Sequence, residues 1–195
     1  MKHIISDKAE VHIMVKQIVM ESFRTHVEEW DMIKDSEPKK EMLRAMERVF
    51  DLTIRAQREK GKEDIAFINV HYLRASLLDG SFSLLINTYS EKHYLDDVVC
   101  LAEWIPTEIK RFFMEDMVYL EKMIIQKNII ISQRELYDIK KKHYFDYLFL
   151  LLIQIKQCSN DIISIKEFMQ MKKAHIYFIL YGEIYGRLIP VYKGW

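Results

Sequence analysis

The chain of 195 residues contains little glycine, proline and cysteine, with five, three and two residues respectively. Scarce glycine and proline favour long regular elements, and they argue against the glycine-rich loops that cradle phosphates. Acidic and basic residues balance at 29 each, so the sequence lacks the basic excess that is typical of nucleic-acid-binding proteins. We therefore expect no nucleic-acid partner.

Cys100 and Cys158 are the two cysteines, and neither belongs to a CxxC motif. Such isolated thiols favour a reducing cytoplasm without a structural disulfide. Residues 1–10 lack an apolar segment of the signal-peptide type, and the apolar runs 144–155 and 174–189 are shorter than the ~20 residues of a membrane span. We expect a cytoplasmic protein that does not enter the membrane. The abundance of lysine, isoleucine and tyrosine is typical of low-GC bacterial or phage genomes.

Helical periodicity and capping signals dominate the rest of the sequence. Apolar residues at helical spacing, Pro38 near the start of the second helix and two capping boxes indicate where the helices begin. The boxes are Ser132 with Glu135, and Ser164 with Glu167. The predicted helices cover residues 6–33, 38–59, 106–124, 132–157 and 164–190.

One stretch, residues 66–89, departs from helical periodicity and predicts a β-hairpin. Asp79-Gly80 suits a two-residue type I′ turn, which would pair Leu77 with Phe82, Ala75 with Leu84 and Leu73 with Ile86. An isolated hairpin is marginally stable in water, so something must complete it. The sequence leaves open residues 2–5, residues 128–131, covering helices or a second copy of the chain.

These elements predict an α+β fold, predominantly α-helical, with about five main helices and one β-hairpin inserted after the second helix. We expect one compact domain over residues 1–195. It would comprise a helical pair at 6–60, the hairpin at 65–90 and a C-terminal helical part at 91–195.

The predicted last helix offers the best candidate functional surface. Gly182 and Gly186 lie one turn apart, so another backbone could approach closely. A tyrosine stripe on an adjacent helical face suits core packing, a protein interface or a ligand pocket. Glu183 and Arg187 are spaced as an i,i+4 ion pair. The speculative binding or interface residues are Tyr177, Tyr181, Gly182, Glu183, Tyr185, Gly186 and Arg187.

A weaker signal is a basic stripe on the second helix, formed by Arg44, Arg48, Arg55 and Arg58. Acidic neighbours such as Asp51 favour a solvated, ion-paired face over a binding stripe. The seven histidines form no HxxxH or HExxH pattern. We therefore predict no metal site and no cofactor, and no residue receives a catalytic assignment.

The sequence does not specify one function. The leading hypothesis is a non-enzymatic interaction or regulatory protein that acts through helical and hairpin surfaces, as a homodimer or with another protein partner. The first alternative is a helical small-molecule-binding domain with a tyrosine-rich pocket lined by Tyr147, Tyr181 and Met169. The second is a hydrolase or lyase that uses Glu183 with His143 or His175.

Overall fold

The computed structural model of the chain describes residues 8–76, 80–96 and 100–195. Four long helices account for most of the regular structure, and helix predominates over strand. They are α1 (Lys8–Ile33), α2 (Glu37–Glu59), α3 (Thr107–Gln126) and α4 (Gln133–Gln157). Two short helices follow, α5 (Ser159–Ile163) and α6 (Lys166–Gln170). In the described ranges, no helix is both long enough and apolar enough to cross a bilayer.

The first four predicted helices are confirmed. The predicted capping box of Ser164 and Glu167 is wrong, because the Ser164 hydroxyl donates to the Asn160 carbonyl at 2.7 Å and α6 begins without a side-chain cap. The capping box at the start of α4 forms as predicted: the Glu135 carboxylate accepts from the Ser132 backbone N–H at 3.0 Å, and the Ser132 hydroxyl accepts from the Glu135 N–H at 3.2 Å. Gly61 follows α2 with a positive φ of 66°, a conformation that glycine adopts without steric cost.

A mixed five-stranded sheet completes the α+β fold. Its strands are β1 (Ile65–Tyr72), β2 (Leu84–Tyr89), β3 (Cys100–Trp104), β4 (Lys173–Glu183) and β5 (Leu188–Gly194). The spatial order is β3-β2-β1-β4-β5, in which β4 runs parallel to β1 and the other neighbours are antiparallel. The predicted hairpin is therefore covered by a strand on each side, β3 beside β2 and β4 beside β1.

The antiparallel pairing of the hairpin is confirmed, but the predicted register is wrong. Val70, and not Leu73, lies opposite Ile86, and Tyr72 lies opposite Leu84. Strand β1 ends at Tyr72 and β2 begins at Leu84, so the two strands do not reach the predicted two-residue turn. Ala75 is helical rather than extended, Leu77 and Asp79 lie outside the described residues, and Gly80 has the expected positive φ of 64°.

The predicted helix over residues 164–190 is wrong, and the predicted count of about five main helices is matched only roughly. Helix α6 ends at Gln170, and the segment that follows forms the β4–β5 hairpin. Ile179 and Leu180 of β4 are buried and pair with Ile68 and Asn69 of β1. A strand buried on both faces is a continuous apolar run, which helical periodicity fits equally well.

Gly182 has a structural role that differs from the predicted helical contact. It lies in β4, between His71 of β1 and Leu188 of β5, and a Cβ atom there would clash with the carbonyl oxygen of Arg187. We expect Gly182→Ala to lower the free energy of unfolding by about 1–3 kcal/mol, because a backbone atom must move. Urea unfolding followed by circular dichroism measures this.

Gly186→Ala is the matched control for that substitution. Its Cβ would meet side-chain atoms of Glu183 rather than backbone, so a smaller loss is expected. Equal stability of Gly182→Ala and the wild type would show that the close approach of the two strands is not maintained.

The chain divides into two compact units. The first comprises Met1–Lys34 and Thr107–Leu150, and contains α1, α3 and most of α4. The second comprises Asp35–Pro106 and Leu151–Trp195, and contains α2 and the whole sheet. In the second unit α2 lies on the sheet face that carries Thr88, whose hydroxyl is 2.7 Å from that of Thr53.

Candidate functional site

The three helices of the first unit bring five polar side chains together in its interior. Asp116 of α3 is fully buried, as is Tyr147 of α4, and His143 of α4 is 1% exposed. Ser22 and His26 of α1 lie one turn apart, as do His143 and Tyr147, so each pair lies on one face of its helix. We call these five residues the Asp116 network.

Both oxygens of Asp116 have two partners. Oδ2 accepts a hydrogen bond from the Tyr147 hydroxyl at 2.7 Å and lies 2.5 Å from His143 Nε2. Oδ1 accepts from the Ser22 hydroxyl and lies 2.8 Å from His26 Nδ1. A buried carboxylate is tolerated when its lone pairs are used in this way.

The network sets the ionisation of its members. Burial would raise the pKa of Asp116, but hydrogen bonds from His143, Ser22 and Tyr147 outweigh it and lower that pKa. Burial would lower the pKa of His143, but its interactions with the carboxylates of Asp116 and Asp146 together outweigh burial and raise that pKa. Burial and the charge of Asp116 raise the pKa of Tyr147, which stays a neutral donor. Asp116 and His143 therefore form a buried ion pair.

Linkage fixes the pH range in which this pair stabilises the unit. The contribution of Asp116 is present above its unfolded pKa and is lost as the pH falls through its lowered folded pKa. The contribution of His143 is present below its unfolded pKa and is lost as the pH rises through its raised folded pKa. Stability from the pair is therefore greatest above the unfolded pKa of Asp116 and below the unfolded pKa of His143.

Aromatic rings surround the network. Phe23 contacts His143 and Tyr147 edge-on, with centroid distances of 5.2 and 5.0 Å, and Phe113 stacks on His143 at 6.0 Å. Phe112 stacks on His26 at 4.6 Å. These rings exclude water, and the low local dielectric strengthens each hydrogen bond to Asp116.

A pocket of about 120 Å³ lies beside the network, between α1 and α4. We call it the His143 pocket. Its lining residues are His12, Lys16, Val19, Met20, Ile139, Lys142, His143 and Asp146. His143 therefore connects the buried carboxylate to the pocket.

The second nitrogen of His143 faces Asp146. Nε2 is taken by Asp116, whereas Nδ1 is buried and forms a long ion pair with Asp146 Oδ2 at 3.5 Å. That separation exceeds a regular hydrogen bond. A buried polar atom without a hydrogen bond of regular length is rare in proteins and needs an explanation.

The rim of the His143 pocket is positively charged. Lys16 and Lys142 are exposed, and within the described part of the chain neither has an ion-pair partner. Asp146, with 40% of its side chain exposed, is the opposing charge among the lining residues. In the described ranges, no group of three histidine, cysteine or acidic side chains could hold a metal ion.

The second unit contains a different polar cluster, on one face of β1 and β2. His71 is fully buried, and neither of its ring nitrogens has a hydrogen-bond partner among the residues that the structure describes. Asn69 and Asn87 face each other across the two strands, and each has an unpartnered Oδ1. Tyr94 stacks on His71 with centroids 6.0 Å apart. Burial lowers the pKa of His71 to about 4, so its ring is neutral at pH 7.

A buried ion pair anchors the segment that carries Tyr94. The Lys62 ammonium group lies 2.8 Å from Asp96 Oδ2, and neither side chain is more than 7% exposed. The same oxygen accepts from the Ser90 N–H at 2.7 Å. These contacts hold the ends of the segment 90–96, in which His93 Nε2 accepts a hydrogen bond from the Asn69 side-chain amide at 2.8 Å.

The predicted surface on the last helix is dispersed by the β4–β5 hairpin. Tyr177, Ile179 and Tyr181 lie at alternate positions of β4, so their side chains share one face of the strand. Tyr185 and Gly186 lie in the turn before β5. Glu183 is paired with Arg74, at 3.0 Å between Oε2 and Nη2, and not with Arg187. Arg187 is exposed.

The other predicted positions are also placed by the structure. Along α2, Arg44 pairs with Glu37 at 2.7 Å and Arg55 with Asp51 at 2.6 Å. Arg48 donates to the Glu103 carbonyl at 3.0 Å, and Arg58 is exposed.

The predicted tyrosine-rich pocket and the predicted acid–base pair both depended on a helix over residues 164–190, where the structure has β4 and β5. Tyr181 is in β4 and Met169 is exposed on α6, whereas Tyr147 belongs to the Asp116 network. His175 is an exposed residue of β4, and the acidic partner of His143 is Asp116 rather than Glu183.

Sequence reasoning missed Asp116 as a functional residue, although a signal was present. Asp116 continues the buried face of α3 that carries Ile109, Phe112 and Leu120. A carboxylate in the middle of an apolar helical face requires partners from other elements. The histidine and tyrosine one turn apart in α4 are suitable partners.

No protein-family model, no curated protein and no solved structure matches this chain.

Proposed function

We propose that this protein binds a small molecule and that the His143 pocket is its binding site. The observation that carries the proposal is a pocket lined by apolar and charged side chains, in which Nδ1 of His143 makes only a long ion pair with Asp146, at 3.5 Å. Ligand sites combine apolar walls with a few placed polar groups and are largely pre-formed. The His143 pocket has both properties.

The Asp116 network gives the site its rigidity. Asp116 fixes the Nε2 edge of His143, while Phe23 and Phe113 hold the ring from its sides. A ligand that meets Nδ1 therefore meets a group whose orientation is already set, which reduces the entropy cost of binding.

Among the functions predicted from the sequence, the small-molecule hypothesis is the one that this geometry favours, at a different place in the chain. The interaction and homodimer hypotheses drew on Gly182 and Gly186 as one face of a helix. These residues belong to a hairpin, so the interaction hypothesis loses that support.

The proposal is tested by filling the pocket. Met20, 41% exposed, lies on the pocket rim, and Met32 of the same helix is 78% exposed and does not line the pocket. Met20→Trp should abolish saturation-transfer NMR signals from ring-sized probes, for which we choose benzoate, benzyl alcohol and benzylamine. Met32→Trp should leave them unchanged, because Met32 does not line the pocket.

Two results would contradict the proposal. One is the absence of a signal from all three probes with the wild-type protein. The other is an equal signal from Met20→Trp and the wild type, which would place binding elsewhere. Thermal unfolding of both variants confirms that each is folded.

A further inference from the structure

We propose that the His143 pocket selects a small organic anion, with a carboxylate at His143 Nδ1 and an apolar body of about one ring against Val19 and Ile139. This inference rests on the proposed function and adds the chemical class of the ligand. Three independent features of the pocket support it: its size, the nature of its walls and the distribution of charge.

The size of the pocket limits the ligand to a small molecule. Its volume of about 120 Å³ is close to that of the engineered apolar cavity of ~150 Å³ that accepts benzene. Pockets for drug-sized ligands are larger, at about 300–1,000 Å³. A single ring or a short branched chain therefore fits, and a nucleotide does not.

The walls divide into an apolar side and a polar side. Val19, Met20 and Ile139 supply apolar surface from α1 and α4, and Val19 is 6% exposed. A ligand that covered this surface would gain hydrophobic free energy in proportion to the buried area. The polar groups around these walls are His12, Lys16, Lys142, His143 and Asp146.

The charge of these polar groups favours an anion. Lys16 and Lys142 carry positive charges that no described acidic side chain neutralises through an ion pair. His143 is paired through Nε2 with Asp116, so in its protonated form the Nδ1–H is a donor whose 3.5 Å neighbour, Asp146, also lines the pocket. A carboxylate accepts such charge-assisted hydrogen bonds, and they are about twice as strong as neutral ones.

Asp146 makes the proposal sharply testable. Its carboxylate lies 3.5 Å from His143 Nδ1, where it would repel an anion and attract a cation. Asp146→Asn removes the charge and keeps the shape of the side chain. An anionic ligand should therefore bind more tightly to this variant, and a cationic ligand more weakly.

Isothermal titration calorimetry with benzoate, benzyl alcohol and benzylamine separates the possibilities. Benzoate should bind the wild type roughly tenfold more tightly than benzyl alcohol, since the neutral probe lacks the charge-assisted contacts. Asp146→Asn should tighten benzoate binding by about twofold to fivefold, and Lys142→Gln should weaken it by a similar factor, as for partly exposed charge pairs.

Lys141→Gln is the matched control for Lys142→Gln. Lys141 is the preceding residue of α4, is exposed and does not line the pocket, so benzoate affinity should not change. The lysine and aspartate substitutions are on exposed or half-exposed positions, and none removes a member of the Asp116 network.

The outcomes distinguish this inference from the proposed function. Equal affinity for the three probes, all lost in Met20→Trp, would retain the binding site and overturn anion selection. Preference for benzylamine, or weaker benzoate binding to Asp146→Asn, would overturn it as well. If none of the probes depends on Met20, the binding site itself is wrong.

Discussion

Replacing Asp116 with alanine is expected to lower the free energy of unfolding by about 3–5 kcal/mol, because it leaves His143 as a buried charge without its partner. The hydroxyls of Ser22 and Tyr147 lose the same acceptor. Natural domains are stable by about 5–15 kcal/mol in total, so the loss would leave the protein marginally folded. Urea unfolding at pH 7, followed by circular dichroism, measures the effect.

Glu121 of the same helix provides the matched control. Its exposed carboxylate pairs with Lys140 at 2.8 Å, and Glu121→Gln should cost no more than about 1 kcal/mol. If Asp116→Ala fails to fold, Asp116→Asn takes its place in the experiment, because it retains the shape and part of the hydrogen bonding. Its loss of free energy of unfolding should lie between those of Asp116→Ala and Glu121→Gln. Similar unfolding curves for Asp116→Ala and Glu121→Gln would mean that Asp116 does not organise the first unit.

Lowering the pH from about 6.5 to 4 should remove about 3 kcal/mol of stability through His71 alone. Its folded pKa is lowered to about 4 by burial, while in the unfolded chain its pKa is near the ordinary histidine value of 6.5. Below pH 6.5 the unfolded state therefore binds a proton that the folded state resists. The contribution is complete above 6.5, declines as the pH falls and does not decline further below about 4.

The variant His71→Phe isolates this effect from other acid-sensitive groups. Phenylalanine preserves a ring beside Tyr94 and removes the two buried ring nitrogens. The free energy of unfolding of His71→Phe should therefore lack the decrease that His71 causes in the wild type between pH 6.5 and 4. His175→Phe, at an exposed position of β4, should retain the wild-type pH dependence. Parallel stability curves for His71→Phe and the wild type would contradict a buried neutral His71.

The long helices were predictable because their signals are local. Each of the first four has apolar residues at helical spacing, and the reciprocal bonds of Ser132 and Glu135 start α4. Such capping interactions depend on a few consecutive residues, and a sequence shows them directly.

The strands were harder to predict from the sequence, because pairing with distant residues determines where they form. Strand β4 pairs with β1, about 110 residues earlier in the chain, and its apolar run carries no periodicity that separates helix from strand. Strand β3 is five residues long and alternates buried and exposed side chains, a pattern too short to stand out. The predicted hairpin register assumed strands that extend beyond Tyr72 and begin before Leu84, where β1 ends and β2 begins.

The candidate site shows the same limit. Spacing could place His143 and Tyr147 on one face of α4, and Ser22 and His26 on one face of α1. It could not show that both faces meet Asp116, because that convergence depends on how three helices pack. Only the position of an acidic residue within the buried face of α3 hinted at it.

The most direct test of the binding site is an NMR titration of the histidine ring nitrogens with benzoate, using two-bond ¹H–¹⁵N correlations. We predict that Nδ1 of His143 shifts in a saturable manner in the wild type and in Met32→Trp, and not in Met20→Trp. Its Nε2 should shift little, because Asp116 remains its partner. Saturation of benzoate binding with both His143 nitrogens unchanged would contradict the account.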